Sequence, residues 1–198
     1  MTTTSPMMKH TVAALVENRP GVLNRVASLF RRRGFNIDSL AVGTTEEPGV
    51  SRMTIVVEGP MSIRQQVERQ LDKLIDVIGV ETLDEDEAVT RELALIKISA
   101  RADQRREILD LIEIFRASVV DVSTTSLTVQ FTAAGDTLDA LIENLRPYGI
   151  KEMVRTGRIA LARGARTTAV YQAEPAELQR FHSESGRLPE GALPFDSK

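Results

Sequence analysis

The residues best suited to chemistry lie in one short stretch, "ENRPGVL", from Glu17 to Leu23. An apolar run stops there, Asn18, Pro20 and Gly21 follow, and an amphipathic segment begins at once. Free amides at a helix N-terminus attract an anion, and an amino acid brings a carboxylate. Gly21 lets a ligand approach the backbone closely. Asn18 can donate to a carboxylate and accept from an α-amino group. A purely structural reading fits the same residues: Pro20 suits a first helical turn, Asn18 a cap or turn, and Gly21 costs little at a helix start. On this stretch alone the two readings stand side by side.

Catalytic chemistry finds little material. Cysteine is absent, which excludes disulfides and thiolate metal sites, and the only histidines are His10 and His182. Ser/His/Asp catalysis needs a histidine beside the nucleophile, and the only candidate in the folded part, His10, starts a strand, where a partly exposed structural position is expected. Neither a G-x-G-x-x-G nor a Walker sequence is present. Arg31, Arg32 and Arg33 end a helix, where cations complement the dipole. The chain therefore reads as a binder and not as an enzyme.

Composition agrees. With 198 residues, 42% hydrophobic, 27% charged and a net charge of −3, the chain is an ordinary globular protein with room for one large or two small domains. Mild acidity gives no footprint for nucleic acid. No window approaches the roughly 18 apolar residues of a membrane span. The first residues lack a basic region followed by an apolar one, so no secretory signal is expected, and the absence of cysteine suits a cytoplasmic location.

The elements that must position Asn18 and Gly21 follow from hydrophobic spacing. Lys9 to Glu17 alternates as a strand, and Gly21 to Gly34 has helical spacing at Val22, Leu23, Val26, Leu29 and Phe30. Phe35, Ile37, Leu40 and Val42 suggest a second strand, Glu46 to Gly49 a turn, and Met53, Ile55 and Val57 a third strand. Ser62 with Gln65 has the form of a capping box, opening a helix through Leu74, and Val77 to Val80 supplies a fourth strand. The order β-α-β-β-α-β is the ferredoxin-like unit.

After the acidic run "LDEDEAVT", read as a solvated linker and not as a metal site, the pattern repeats. Leu93 to Ser99 is a strand, and Asp103 is placed to cap a helix through Phe115. Val119 to Val122 and Leu127 to Phe131 form a hairpin pair, Leu138 to Leu145 a helix, and Met153 to Leu161 one last strand. Phe30 and Phe115 fall at matching places. The fold class is α+β: two ferredoxin-like modules at 9–83 and 91–164, an acidic linker at 84–90, and a polar, mostly flexible tail at 165–198. Each module is small for a stable core, and its helices cover one sheet face while leaving the other face and both edges open, so a homodimer is expected.

The second module supplies a control. Its equivalent loop, "SARADQRREIL", has no Asn-x-x-Gly, so starting this helix does not require those residues. A second asparagine, Asn36, opens the second strand in "RGFNIDSLAVG". The crossover makes that strand parallel to the first, which puts Asn18 and Asn36 at opposite ends of the helix, about 20 Å apart at 1.5 Å per residue. They cannot grip one small ligand within a subunit. Two-fold pairing along the second-strand edge would bring Asn18 of one chain beside Asn36 of the other and create two equivalent effector sites.

"LVENRPGVLNRVASLFRRRGFNIDSLAVG" with "SRMTIVVEG" closely resembles the small regulatory subunit of acetolactate synthase (acetohydroxyacid synthase), whose N-terminal module is an ACT domain. The resemblance continues through "ELALIKI", "EIFRASVVDVS", "LTVQFTA" and "RTGRIALARG", from about Lys9 to Gly164. It implies a non-catalytic subunit with no cofactor of its own. Such a subunit activates a catalytic large subunit that carries thiamine diphosphate, Mg²⁺ and FAD and makes acetolactate from pyruvate. It also implies feedback inhibition in branched-chain amino-acid biosynthesis, by valine and sometimes by leucine or isoleucine. Asn18, Gly21 and Asn36 match the family's effector positions. Val22, Leu23 and Ile37 are neighbours offering backbone amides or apolar contacts, and Gly43 lies near the site. The competing reading is a stand-alone ACT-type amino-acid sensor acting on a different enzyme or regulator.

Overall fold

The computed structural model of the chain describes residues 8–168, so nearly all of the polar tail lies outside the described residues. The first module runs β1 (Met8–Glu17), α1 (Val22–Arg33), β2 (Ile37–Thr44), β3 (Val50–Gly59), α2 (Met61–Leu71) and β4 (Val77–Leu83). Its antiparallel-paired sheet has the order β2-β3-β1-β4, which places β1 inside and β2 at an edge. The second runs β5 (Ala88–Ser99), α3 (Arg105–Ile114), β6 (Ser118–Val122), β7 (Ser126–Ala133), α4 (Gly135–Leu145), β8 (Ile150–Arg155) and β9 (Ile159–Ala162). Its sheet order is β6-β7-β5-β8, with β9 paired to β5. The two ferredoxin-like units expected from spacing are present. Among the described residues no helix is long and apolar enough to cross a membrane.

Period and face explain the cores. Val12, Ala14 and Val16 of β1 and Met53, Ile55 and Val57 of β3 point to one face, where Val22, Val26, Leu29 and Phe30 of α1 cover them. The second core repeats this with Ile96 and Ile98 under Ile108, Ile112, Leu138 and Leu141. Phe30 meets Phe35 edge-on, with ring centroids 5.7 Å apart, and Phe115 meets Phe131 the same way at 6.2 Å.

Several local expectations are corrected. Ser62 and Gln65 form no capping box: α2 starts at Met61 behind Pro60, whose fixed φ sets the helix entry, and no side chain caps it. Asp103 does not cap α3, which starts after Gln104; its carboxylate lies 3.6 Å from Arg101 instead. The single last strand is two. The chain turns at Thr156–Arg158, so β8 pairs with the second half of β5 and β9 with the first half. His10 is buried and not partly exposed, with its Nε2 3.0 Å from the Gly59 carbonyl oxygen, because β1 lies between β3 and β4. The acidic stretch is a turn, and its last residues, from Ala88, already belong to β5. Three of its carboxylates face arginines: Asp84 meets Arg64, Glu85 meets Arg158, and Glu87 meets Arg166.

The second face of the first sheet is not left open as expected. β5 is twelve residues long, and its first residues extend past its own sheet to form a ribbon with β9. Ala88 and Ala160 of that ribbon bury themselves against Ala13 and Leu83. Small side chains on both sides allow the layers to approach, and the modules are joined by a contact that no hydrophobic period announces.

Candidate functional site

The loop between β1 and α1 is built to hold its backbone still and present its side chains. The amide of Asn18 donates to the Gly49 carbonyl at 2.7 Å, and that of Glu17 to the Asp76 carbonyl at 2.9 Å. The Arg25 guanidinium, one turn into α1, makes a two-pronged bond to the Asp76 carboxylate at 2.5 and 2.7 Å. That hydrogen bond, more than any other influence, raises the Arg25 pKa above its ordinary value, and desolvation only partly opposes it. Asp76 is buried, so the pair clamps the loop to the start of β4. Neither Arg25 nor Asp76 stands out in the sequence. The available signal was the four-residue spacing from Gly21 to Arg25, one helical turn.

Gly21 precedes the helix with φ +87°, in the left-handed region that favours glycine. No side chain caps α1, and the Val22 amide reaches only the Arg19 carbonyl at 3.4 Å. The next amides, of Leu23 and Asn24, have no acceptor among the described residues. In the second module the residue before α3, Gln104, has φ −99°. The two helix starts therefore differ in backbone as well as in residue type.

The structure gathers Asn18, Gly21, Val22 and Leu23 at one end of the sheet. The Asn18 side chain is exposed and makes no hydrogen bond among the described residues. Val22 points into the core, so its side chain is not offered to solvent, whereas Leu23 is half-exposed. Asn36 and Ile37 lie at the other end. Gly34 closes α1 in the left-handed region and the Phe35 amide returns to the Phe30 carbonyl at 3.0 Å, so the chain reverses before β2. Asn36 is exposed and sits one residue before β2, so it does not open the strand itself. Ile37 pairs with Val57, which also pairs with His10, while Glu17 pairs with Val50. Eight strand residues thus separate the two ends, about 26 Å at 3.3 Å per residue. Gly43 lies near the Asn18 end of β2, opposite Arg52.

The two-module fold is shared with known proteins. Residues 12–79 match the family model described as an AHAS small subunit-like ACT domain, and residues 91–164 the model described as the small subunit of acetolactate synthase. The chain is 53% identical over 157 residues to the acetolactate synthase small subunit of Mycolicibacterium smegmatis, covering 79% of this chain and 92% of that one. The small subunit of Bacillus subtilis is 50% identical over 164 residues, covering 82% of this chain and 95% of that one. A crystal structure of the small subunit from Thermotoga maritima superposes with a TM-score of 0.76 at 41% identity, covering 79% of this chain and 98% of that one. Two matched family models, relatives at half identity over nearly their whole length and the shared two-module fold leave one assignment: the chain belongs to the acetolactate synthase small-subunit family and carries an ACT domain in its N-terminal half.

Proposed function

We propose that this chain is the non-catalytic regulatory subunit of an acetolactate synthase. It activates a catalytic large subunit and confers feedback inhibition by a branched-chain amino acid, valine first. Thiamine diphosphate, Mg²⁺ and FAD belong to the catalytic partner in this reading, and the pair works in the cytoplasm. The effector is sensed by the module at 9–83, which the short acidic segment at 84–90 joins to the module at 91–164.

The observation that carries the effector reading is the start of α1, where the amides of Leu23 and Asn24 find no acceptor and the exposed Asn18 side chain makes no hydrogen bond among the described residues. A carboxylate answers those amides, and Asn18 answers the α-amino group. This is half a site. β2 is an edge strand, with the Asn36 end and the Gly43 end on opposite sides of its middle. Antiparallel pairing of β2 with its copy in a homodimer places Asn36 of the partner subunit toward the Asn18 end of the first. Asn18, Gly21, Val22 and Leu23 then face Asn36 and Ile37 of the partner subunit across the two-fold axis.

Titration calorimetry of the full chain with valine, leucine and isoleucine tests this directly. Saturable binding is expected, and one methylene or branch separates the three ligands by about 1–3 kcal/mol. Reconstituted with its catalytic subunit, Asn18→Ala is expected to leave acetolactate formation active and remove valine inhibition. Full inhibition of that variant would place the effector elsewhere. A chain that binds valine but neither captures nor activates the large subunit would instead be a stand-alone sensor.

A further inference from the structure

The turn between β8 and β9 lies tightest against the first module at the backbone of β2. A Cβ built on Gly157 would stand 2.7 Å from both the carbonyl carbon and the oxygen of Leu40, and 3.1 Å from the Ala41 nitrogen. Those atoms are main chain, so they cannot step aside as a flexible side chain would. Gly157 is therefore required by proximity, since its own φ is not in the left-handed region. The next residue ties the contact down. The Arg158 amide reaches the Ser39 hydroxyl of β2 at 3.4 Å, and its guanidinium donates to the Thr11 hydroxyl of β1 at 3.2 Å and to Glu85 at 3.4 Å.

Arg158 also lies 3.8 Å from Glu92 of β5, which accepts from Arg155 at 2.5 Å; Arg155 in turn donates to Asp139 of α4 at 2.5 Å. Both Arg158 and Glu92 are mostly buried, with side-chain exposures of 16% and 10%. A charged chain thus runs from Thr11 of β1, beside the amide contact to Ser39 of β2, to a helix of the second module. Beyond Ala41 the ribbon stands away from β2, leaving a cavity of about 390 Å³ among Val42, Gly43, Thr44, Val89, Ile159 and Leu161. The ribbon is in close contact at Ser39–Ala41 and hollow at Val42–Thr44.

From these contacts we infer that Gly157 and Arg158 are positioning residues that transmit the state of β2 to the second module. This rests on the reading above, in which β2 carries part of the effector site and pairs with its copy. A shift of β2 on effector binding pushes the Thr156–Arg158 turn directly, because no side chain cushions the contact. The ribbon itself is held, with Ala160 buried against Ala13 and Leu83 and its carbonyl accepting from Arg52 at 3.2 Å. Coupling of this kind needs an element biased from both sides, and a turn that touches β2 through its backbone and β5 through Arg158 supplies it.

Gly157→Ala and Arg158→Gln test it in the reconstituted holoenzyme. The first forces β2 and the turn apart, and the second frees the turn while leaving Gly157 in place, so one informative variant remains if the other folds poorly. Valine affinity of the free subunit and activation of the catalytic subunit are expected to stay near wild type. The valine concentration for half-inhibition is expected to rise about tenfold or more, within the usual range of coupling factors. A structural role alone would lower binding, activation and inhibition together. Inhibition curves that superpose on wild type in both variants overturn the inference. Amide exchange across 39–41 separates its failure from that of the effector reading. Should the wild-type chain bind no branched-chain amino acid, exchange about tenfold faster there in Gly157→Ala still upholds the positioning role, and unchanged exchange sinks it.

Discussion

At the residue scale, Gly21 carries the most consequence for its size. Its φ of +87° costs a side chain roughly 1–2 kcal/mol in the left-handed region. Space is not the obstacle, because an added Cβ would meet only the tip of Arg25, at 3.8 Å. Gly21→Ala is therefore expected to lower stability by about that amount in urea denaturation without unfolding the module. It should also weaken valine binding, because relief of the strain turns the Leu23 and Asn24 amides away. The importance of Gly21 was legible in the sequence, because the second module starts its helix without one. The Arg25–Asp76 clamp was not, because fifty-one positions separate its members and only the placement of β4 brings them together.

At the element scale, the decisive feature is β2. An edge strand presents unpaired amides and carbonyls and is a template for another chain. Val42 of β2 is 48% exposed although its partner in register, Met53, is a core residue. Val42→Lys puts two like charges near each other in a β2-paired dimer while leaving the core filled. Sedimentation should show the proposed dimer dissociating at a concentration about tenfold or more higher, a cost near 1.4 kcal/mol, and the proposed valine inhibition should weaken with it. An unchanged dimer would place the subunit contact elsewhere. The strands and helices themselves were readable from period, whereas their ends were read less well. Pro60 and Gln104 decide where α2 and α3 begin, and the acceptors assigned from sequence, Ser62 and Asp103, do not cap them.

At the scale of the whole molecule, two small cores become one structure through the ribbon of β5 and β9. Its contact layer of Ala13, Ala88 and Ala160 with Leu83 is thin and closely packed. Ala88→Leu overfills it, at a cost of about 1–3 kcal/mol. Thermal unfolding is expected to show a single transition in the wild type and two, one per module, in that variant. A single transition shifted downward would mean that the cores unfold together without this layer.

The two units, their order, the faces that make each core, and the unusual loop at Asn18–Gly21 are all written in local sequence. Those properties are local: periods of two and 3.6 residues, turn residues, and a repeat that supplies its own control. Tertiary structure alone decided that His10 is buried, that the last strand breaks at Thr156–Arg158, and that the ribbon closes the first sheet. It also decided that Gly157 lies against Leu40. These depend on contacts between residues tens of positions apart. No spacing rule encodes them, because the partner of each residue is chosen by where the other module packs.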